Sequence, residues 1–204
     1  MRVITVTEGA DRFTANAYLL TGEVSTLVDV GTWPPVIDRI DEHVEELDRV
    51  VITHAHQDHI EQLSTVVERF DPEVYMFDAH QSRTQQLCDG DTVGMGDHEF
   101  EVIHTPGHAD DHVSLVSETA LFSGDVVVYN DGAFDDGSFG RTDLPGQSRE
   151  VLIESIERLL ATLPQTVDTM YPGHGSSFTG DIHAVVSRAL ERAKRREPKY
   201  PDET

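Results

Sequence analysis

Thr53-His54-Ala55-His56-Gln57-Asp58-His59 follows directly on the apolar run Val50-Val51-Ile52. Packing gives no reason for three imidazoles and a carboxylate within six positions, whereas histidine is a frequent metal ligand. If 50–52 is a buried strand, His54 and His56 leave its end on the same side, because side chains alternate along a strand. Asp58 and His59 then fall at the start of the following helix. Imidazole nitrogen and carboxylate oxygen together suit zinc, iron or manganese.

Read outward from that motif, the chain repeats one pattern: an apolar strand, then a short polar or glycine-containing turn that presents a His or an Asp. Strands are expected over 2–7, 15–20 and 24–30, the last ending in Asp29-Val30-Gly31. Pro34-Pro35 opens an expected helix to 47, with Val36, Ile37, Ile40, Val44 and Leu47 on one face. A helix is expected after the His motif to Phe70, a strand over 73–77 and a helix over 79–87. The second half begins with a turn-rich piece at 91–96. Strand 99–104 then leads into Thr105-Pro106-Gly107-His108, strands follow at 112–116 and 120–122, and Ser123-Gly124-Asp125 ends the last of these. The Gly- and Asp-rich segment 130–140 reads as a long functional loop. Ser148 caps an expected helix over 148–160, with Glu150 in its first turn. Strand 166–170 ends in Tyr171-Pro172-Gly173-His174-Gly175, and a helix over 181–196 closes the chain.

The 204 residues are enough for a single domain, 1–204, with a sizeable core. No basic stretch followed by an apolar run marks the N-terminus and no 18-residue apolar span occurs, so a soluble, cytoplasmic protein is expected. Cys88 is the sole cysteine, which excludes an internal disulfide and a cysteine-based metal cluster. The formal charge of -23 is spread over the expected helix surfaces, and the only lysines are Lys194 and Lys199. Such a surface reads as adaptation to a high-salt cytoplasm, where self-repulsion is screened. It argues against nucleic acid as a partner, which needs a basic face. Arg188, Arg192, Lys194, Arg195 and Arg196 form one local basic cluster, read as a solvated helix end favouring cations, or else as a grip on an anionic substrate tail.

Several motifs in this order resemble the metallo-β-lactamase superfamily: Asn16-Ala17-Tyr18-Leu19, Asp29-Val30-Gly31, the His-X-His-X-Asp-His signature at 54–59, Pro106-Gly107-His108, Ser123-Gly124-Asp125 and Pro172-Gly173-His174-Gly175. The resemblance implies an α+β fold, a four-layer αββα sandwich with a metal site at one edge of the sheets. Within the superfamily the chain is most similar to short glyoxalase II-like hydrolases, through Gly137-Ser138-Phe139-Gly140-Arg141-Thr142-Asp143-Leu144-Pro145-Gly146. It implies that His54, His56 and His108 hold one metal, that Asp58, His59 and His174 hold a second, and that Asp125 bridges them. Two zinc ions per chain are the implied cofactors, with iron or manganese as substitutes. Full-length glyoxalase II enzymes carry a longer helical C-terminal part that helps bind glutathione. Here the chain is too short for it, and Gly175-Ser176 stands where those enzymes have Glu and Tyr. The Gly-Arg-Thr-Asp segment also resembles persulfide dioxygenases, which use one iron on the positions of His54, His108 and Asp125.

The chemistry stands beside the resemblance. Two cations a few ångströms apart can bridge one water and lower its pKa from 15.7 to roughly 7, and the resulting hydroxide attacks a carbonyl. A thioester or small ester suits such a site, because a thiolate leaves with little protonation. No Gly-X-Ser-X-Gly elbow is present and Cys88 lies outside every motif, so no protein nucleophile is expected. Asp58 becomes a candidate catalytic base if one metal is bound. Arg141 is the candidate substrate contact, against a role pinning its loop through Asp143. Asp29 either hydrogen-bonds near the metal histidines or serves the turn. His104 and His112 flank the site as candidate ligand-orienting groups, with a satisfied structural histidine as the plainer account. The expected partner is thus a small-molecule substrate, with no membrane partner. The competing functions are an iron persulfide dioxygenase, a nuclease and a noncatalytic metal binder. Neither an RNA-holding arm nor a broad basic surface supports the nuclease.

Overall fold

The structure, a computed structural model, describes residues 2–197. The chain divides into two compact units between Val102 and Ile103.

In the first unit, β1 (Arg2–Thr5), β2 (Tyr18–Thr21), β3 (Thr26–Val28), β4 (Arg49–Val51), β5 (Glu73–Met76) and β6 (Gln85–Gln86) form one sheet in that order. β1 to β3 pair antiparallel and β3 to β6 parallel. Parallel neighbours need crossovers. They are α1 (Val36–Asp41) between β3 and β4, and α2 (Gln57–Ile60) with α3 (Leu63–Phe70) between β4 and β5. Val36 and Ile40 of α1 and Leu63 and Val66 of α3 are buried in one cluster with Leu27, Val50 and Val74 of the strands and with Ile52 just after β4. The near-continuous apolar strands follow from that position, because parallel strands bury both faces. β7 (Thr92–Met95) and β8 (His98–His104) make a hairpin.

In the second unit, β9 (Val113–Val116), β10 (Ala120–Gly124), β11 (Thr169–Pro172) and β12 (Phe178–Thr179) take the order β12-β11-β10-β9. β10 and β11 are parallel and the other pairs antiparallel. The crossover is α4 (Arg149–Thr162), capped by the Ser148 hydroxyl, which accepts from Val151 N. α5 (Ile182–Arg195) starts at Asp181, whose carboxylate accepts from Ala184 N at 2.9 Å. Leu152, Ile156 and Leu159 of α4 share a buried cluster with Val185, Val186 and Ala189 of α5 and with Leu121 and Met170 of the sheet.

Four local expectations change. The segment 79–87 is not a helix. Thr84 N and Leu87 N donate to Val74 O and Met76 O at 3.0 and 2.9 Å, which draws it into the sheet as edge strand β6. Sheet pairing overrides helical propensity there. The helix expected over 34–47 ends at Asp41, because Asp48 accepts from Ser25 N and Oγ at 2.8 and 2.7 Å and turns the chain into β4. The helix expected from the His motif to Phe70 breaks at Gln62, whose N–H goes to Gly31 O at 3.1 Å. The turn-rich 91–96 contains β7. No helix among the described residues is long and apolar enough to cross a membrane.

Ile156 is fully buried between α4 and its neighbours. Ile156→Ala is expected to cost about 2–5 kcal/mol, the range for deleting a buried aliphatic side chain. Urea denaturation followed by circular dichroism checks it; an unchanged midpoint would contradict the core assignment.

Candidate metal centre

β4 stops at Val51, and the chain bends at Thr53 on its way to His56, the residue before α2, which is extended with φ -64° and ψ 144°. Asp58 lies in the first turn of α2, and His59 is fully buried. Asp29 organises this corner. Its backbone is left-handed, φ 56°, in the turn after β3. Its carboxylate accepts from Thr53 N at 2.8 Å, Thr53 Oγ1 at 2.8 Å and His59 Nδ1 at 2.8 Å. A carboxylate only accepts, so His59 carries its proton on Nδ1 and Nε2 is its basic nitrogen. Thr53 Oγ1, having donated to Asp29, accepts from His54 Nδ1 at 3.1 Å. His54 therefore also presents Nε2 as its basic nitrogen. That atom lies 3.0 Å from His56 Nδ1.

In the second unit the donors again stand at strand ends. His108 follows β8 by four residues, Asp125 follows β10, and His174 follows β11 by two. β10 and β11 are parallel neighbours, and Gly173 N donates to Gly124 O at 2.8 Å, so Asp125 and His174 arrive side by side. His108 Nδ1 donates to the Arg141 carbonyl at 2.9 Å, which leaves Nε2 basic. His108 Nε2 and His174 Nε2 lie 3.4 and 3.5 Å from Asp125 Oδ2. Charge-assisted hydrogen bonds are shorter, about 2.7–2.9 Å. Two ligands of one tetrahedral zinc, at about 2.0–2.1 Å from it, stand roughly 3.3 Å apart. Three separations, 3.0, 3.4 and 3.5 Å, bracket that value, and the ring nitrogens turned to them are the unprotonated ones at His54 and His108. Donor chemistry and spacing therefore fit a divalent cation of the zinc, iron or manganese kind. Cys88 is exposed and belongs to neither group.

The first unit thus gathers His54, His56, Asp58 and His59, and the second gathers His108, Asp125 and His174. Arg141 is placed differently. Its guanidinium makes a two-point pair with Asp143, Nε to Oδ1 at 2.9 Å and Nη2 to Oδ2 at 2.8 Å, which pulls the Asp143 carboxyl below its usual pKa. The backbone carbonyl of the same residue accepts from His108 Nδ1. His112 proves to be more than a packed histidine. Its Nδ1 donates to Thr105 Oγ1 at 2.8 Å and its Nε2 accepts from Asp125 N at 2.9 Å, so it fixes the backbone that carries Asp125. Sequence gave no signal for that contact, since it spans 13 residues between two strands. His104 donates to the Asp110 carbonyl at 2.8 Å. Asp29 had a visible signal in the Asp-Val-Gly turn.

A family profile described as the metallo-beta-lactamase superfamily matches residues 10–87 and 76–174. A probable metallo-hydrolase of Streptococcus pyogenes is 32% identical over 190 residues, covering 79% of this chain and 79% of its own length. A hydroxyacylglutathione hydrolase of Klebsiella pneumoniae is 32% identical over 105 residues, covering 50% of this chain and 41% of its own length, so the chain matches well under half of that enzyme. Among solved structures, ETHE1 from Myxococcus xanthus superposes with a TM-score of 0.73 at 26% identity, covering 98% of this chain and 92% of its own. TTHA1623 in a di-iron-bound form gives 0.68 at 29%, covering 86% and 93%. The chain belongs to the metallo-beta-lactamase superfamily. Its fold is the α+β sandwich of that superfamily.

Asp29→Asn keeps the side-chain shape but removes the acceptor charge that holds His59. Its metal affinity is expected to fall about 10–100-fold, the range for losing such an orienting partner. Competition with a chromophoric chelator measures this; unchanged affinity would show that His59 orientation does not depend on Asp29.

Proposed function

We propose that the chain is a glyoxalase II-like hydrolase of a thioester or related small ester, working with two zinc ions. The observation that carries the proposal is the His-X-His-X-Asp-His run, in which His54 and His59, like His108 beyond it, are each held in one tautomer by a partner on Nδ1. The ligand set is the one the resemblance implies: His54, His56 and His108 for one metal, Asp58, His59 and His174 for the other, and Asp125 for both. The metals supply an activated water and a positive charge for the developing oxyanion. The chain's own residues hold that chemistry still. Asp29, Thr53 and the Arg141 carbonyl keep protons off the ligating nitrogens, and His112 holds the backbone of Asp125. Asp58 is proposed as the proton acceptor if a single metal is bound. Arg141 is proposed to meet the substrate by exchanging the Asp143 carboxylate for an anionic group of the substrate. The partner is a small molecule, and a membrane or nucleic acid has no place in the reading.

Curated relatives named hydroxyacylglutathione hydrolase support the thioester class, but their match covers 41% of their length. The thiol carrier is therefore left to a screen. A second reading, a mononuclear iron persulfide dioxygenase, is favoured by the Gly140-Arg141-Thr142-Asp143 segment and fits the likeness to ETHE1.

Elemental analysis of protein purified without added metal or affinity resin separates the two. About two zinc per chain, with turnover in a thioester screen in high salt, is the expected result. One iron per chain with oxygen uptake on persulfides would replace it with the dioxygenase. His56→Ala is expected to lower metal content and abolish hydrolysis; full metal and unchanged turnover would remove His56 from the ligand set.

A further inference from the structure

We propose that Arg192, assisted by Arg188, is a positioning residue for His108, acting through the loop 134–141. The inference rests on the metal-centre reading above and adds a part to it.

On its outer side the loop is strapped to α5. The Arg192 guanidinium sits 4.2 Å over the Phe134 ring, pairs with Asp136 Oδ1 at 2.8 Å and donates to the Gly137 carbonyl. Arg188 donates to the Asp136 carbonyl at 2.6 Å, and its Nε lies 3.3 Å from Asp136 Oδ2. Gly137 has φ +123°, and a Cβ there would lie 2.8 Å from the Val185 carbonyl of α5, so the loop backbone is seated on the helix. On its inner side the loop meets the donors. Ser138 exchanges both backbone hydrogen bonds with Val128, at 3.0 and 2.9 Å. Gly140 N donates to Asp125 O at 2.7 Å, and a Cβ on Gly140 would lie 2.8 Å from His108 Nδ1. The next carbonyl, that of Arg141, is the one that takes the His108 Nδ1 proton.

The acceptor that fixes His108 thus sits on a segment with no helix or strand of its own. Two arginines of a helix hold the outer turn of that segment. Arg192 is only 17% exposed at its side chain, so it is not a solvated cation at a helix end. Its hydrogen bond draws the Asp136 carboxyl below the usual range. Arginine suits the task because its planar fork can serve a carboxylate, a carbonyl and an aromatic face at once, which an ammonium cannot. Without the strap the Arg141 carbonyl is no longer held against His108, and the ring is no longer fixed with Nε2 unprotonated. Loss of an orienting partner of this kind weakens metal binding by about 10–100-fold.

The test uses the full chain with Arg192→Ala, Arg192→Lys and Asp136→Ala. Arg195→Ala is the control, since Arg195 pairs with Glu191 and Glu197 and not with the loop. Zinc affinity is read by chelator competition at fixed salt, urea unfolding is read on the same samples, and ring ¹⁵N spectra of the metal-free proteins report the His108 tautomer. Arg192→Ala and Asp136→Ala are expected to bind zinc about tenfold more weakly or worse, with His108 shifted from the Nδ1–H form to a mixture. Arg192→Lys should fall between, and Arg195→Ala should match the parent chain. A folded Arg192→Ala with parental affinity and tautomer would overturn the proposal, as would an equal loss in Arg195→Ala. If Arg192→Ala does not fold, Asp136→Ala decides in the same way at an exposed position. A parent chain that binds neither zinc nor iron would instead overturn the metal reading, while the tautomer comparison would still decide the strap.

Discussion

A histidine offers a nitrogen to a cation only when its proton is parked on the other one. Much of the local structure around the motif follows from that constraint. His59 gives its proton to Asp29, His54 to Thr53 and His108 to a main-chain carbonyl. The three acceptors differ in kind. One is a carboxylate, one a hydroxyl that itself donates to that carboxylate, and one a neutral carbonyl. Asp29 adopts a left-handed backbone to do this, a cost on the order of 1 kcal/mol for a residue other than glycine. Three hydrogen bonds on its carboxylate offset it, and the same turn is tied down twice more, by Val30 N and Gly31 N to the His59 carbonyl at 2.9 and 3.1 Å. The turn after β3 and the start of α2 therefore behave as one piece.

The candidate donors could be picked out from the sequence because their pattern is local. Spacing of two across His54 and His56, and a glycine before His108 and His174, place donors at strand ends with no knowledge of the rest of the fold. The orienting groups were less legible because they are distant. His112 reaches Asp125 across 13 positions, Asp29 reaches His59 across 30, and Arg141 reaches His108 across 33. Only Asp29 advertises itself, through a turn that also explains it without a ligand. The same reasoning accounts for the misread elements. Apolar periodicity located α3, α4 and α5, whose faces bury side chains. It failed at 79–87, where both β6 residues are exposed and main-chain pairing, helped by the Thr84 hydroxyl accepting from Val74 N at 2.8 Å, fixes the conformation. It overran α1, where a single distant pair of groups, Ser25 and Asp48, sets the end.

The acidic surface and the choice of arginine belong to one argument. With 38 acidic and 15 basic residues, acids outnumber cations more than two to one, so an ion pair by itself says little about role. Exposed pairs such as Arg195 with Glu191 contribute near zero to about 1 kcal/mol and fade as salt rises. Several arginines, some of them also in ion pairs, donate to main-chain carbonyls: Arg49 to Gly94, Arg83 to Phe77, Arg158 to His104, Arg188 to Asp136 and Arg192 to Gly137. A carbonyl is a neutral acceptor, and these bonds tie loops and strand ends to helices or to neighbouring strands. Screening weakens them less than it weakens a pair of full charges. The net charge alone therefore says little about the role of any one arginine, while the acceptor each arginine reaches says more.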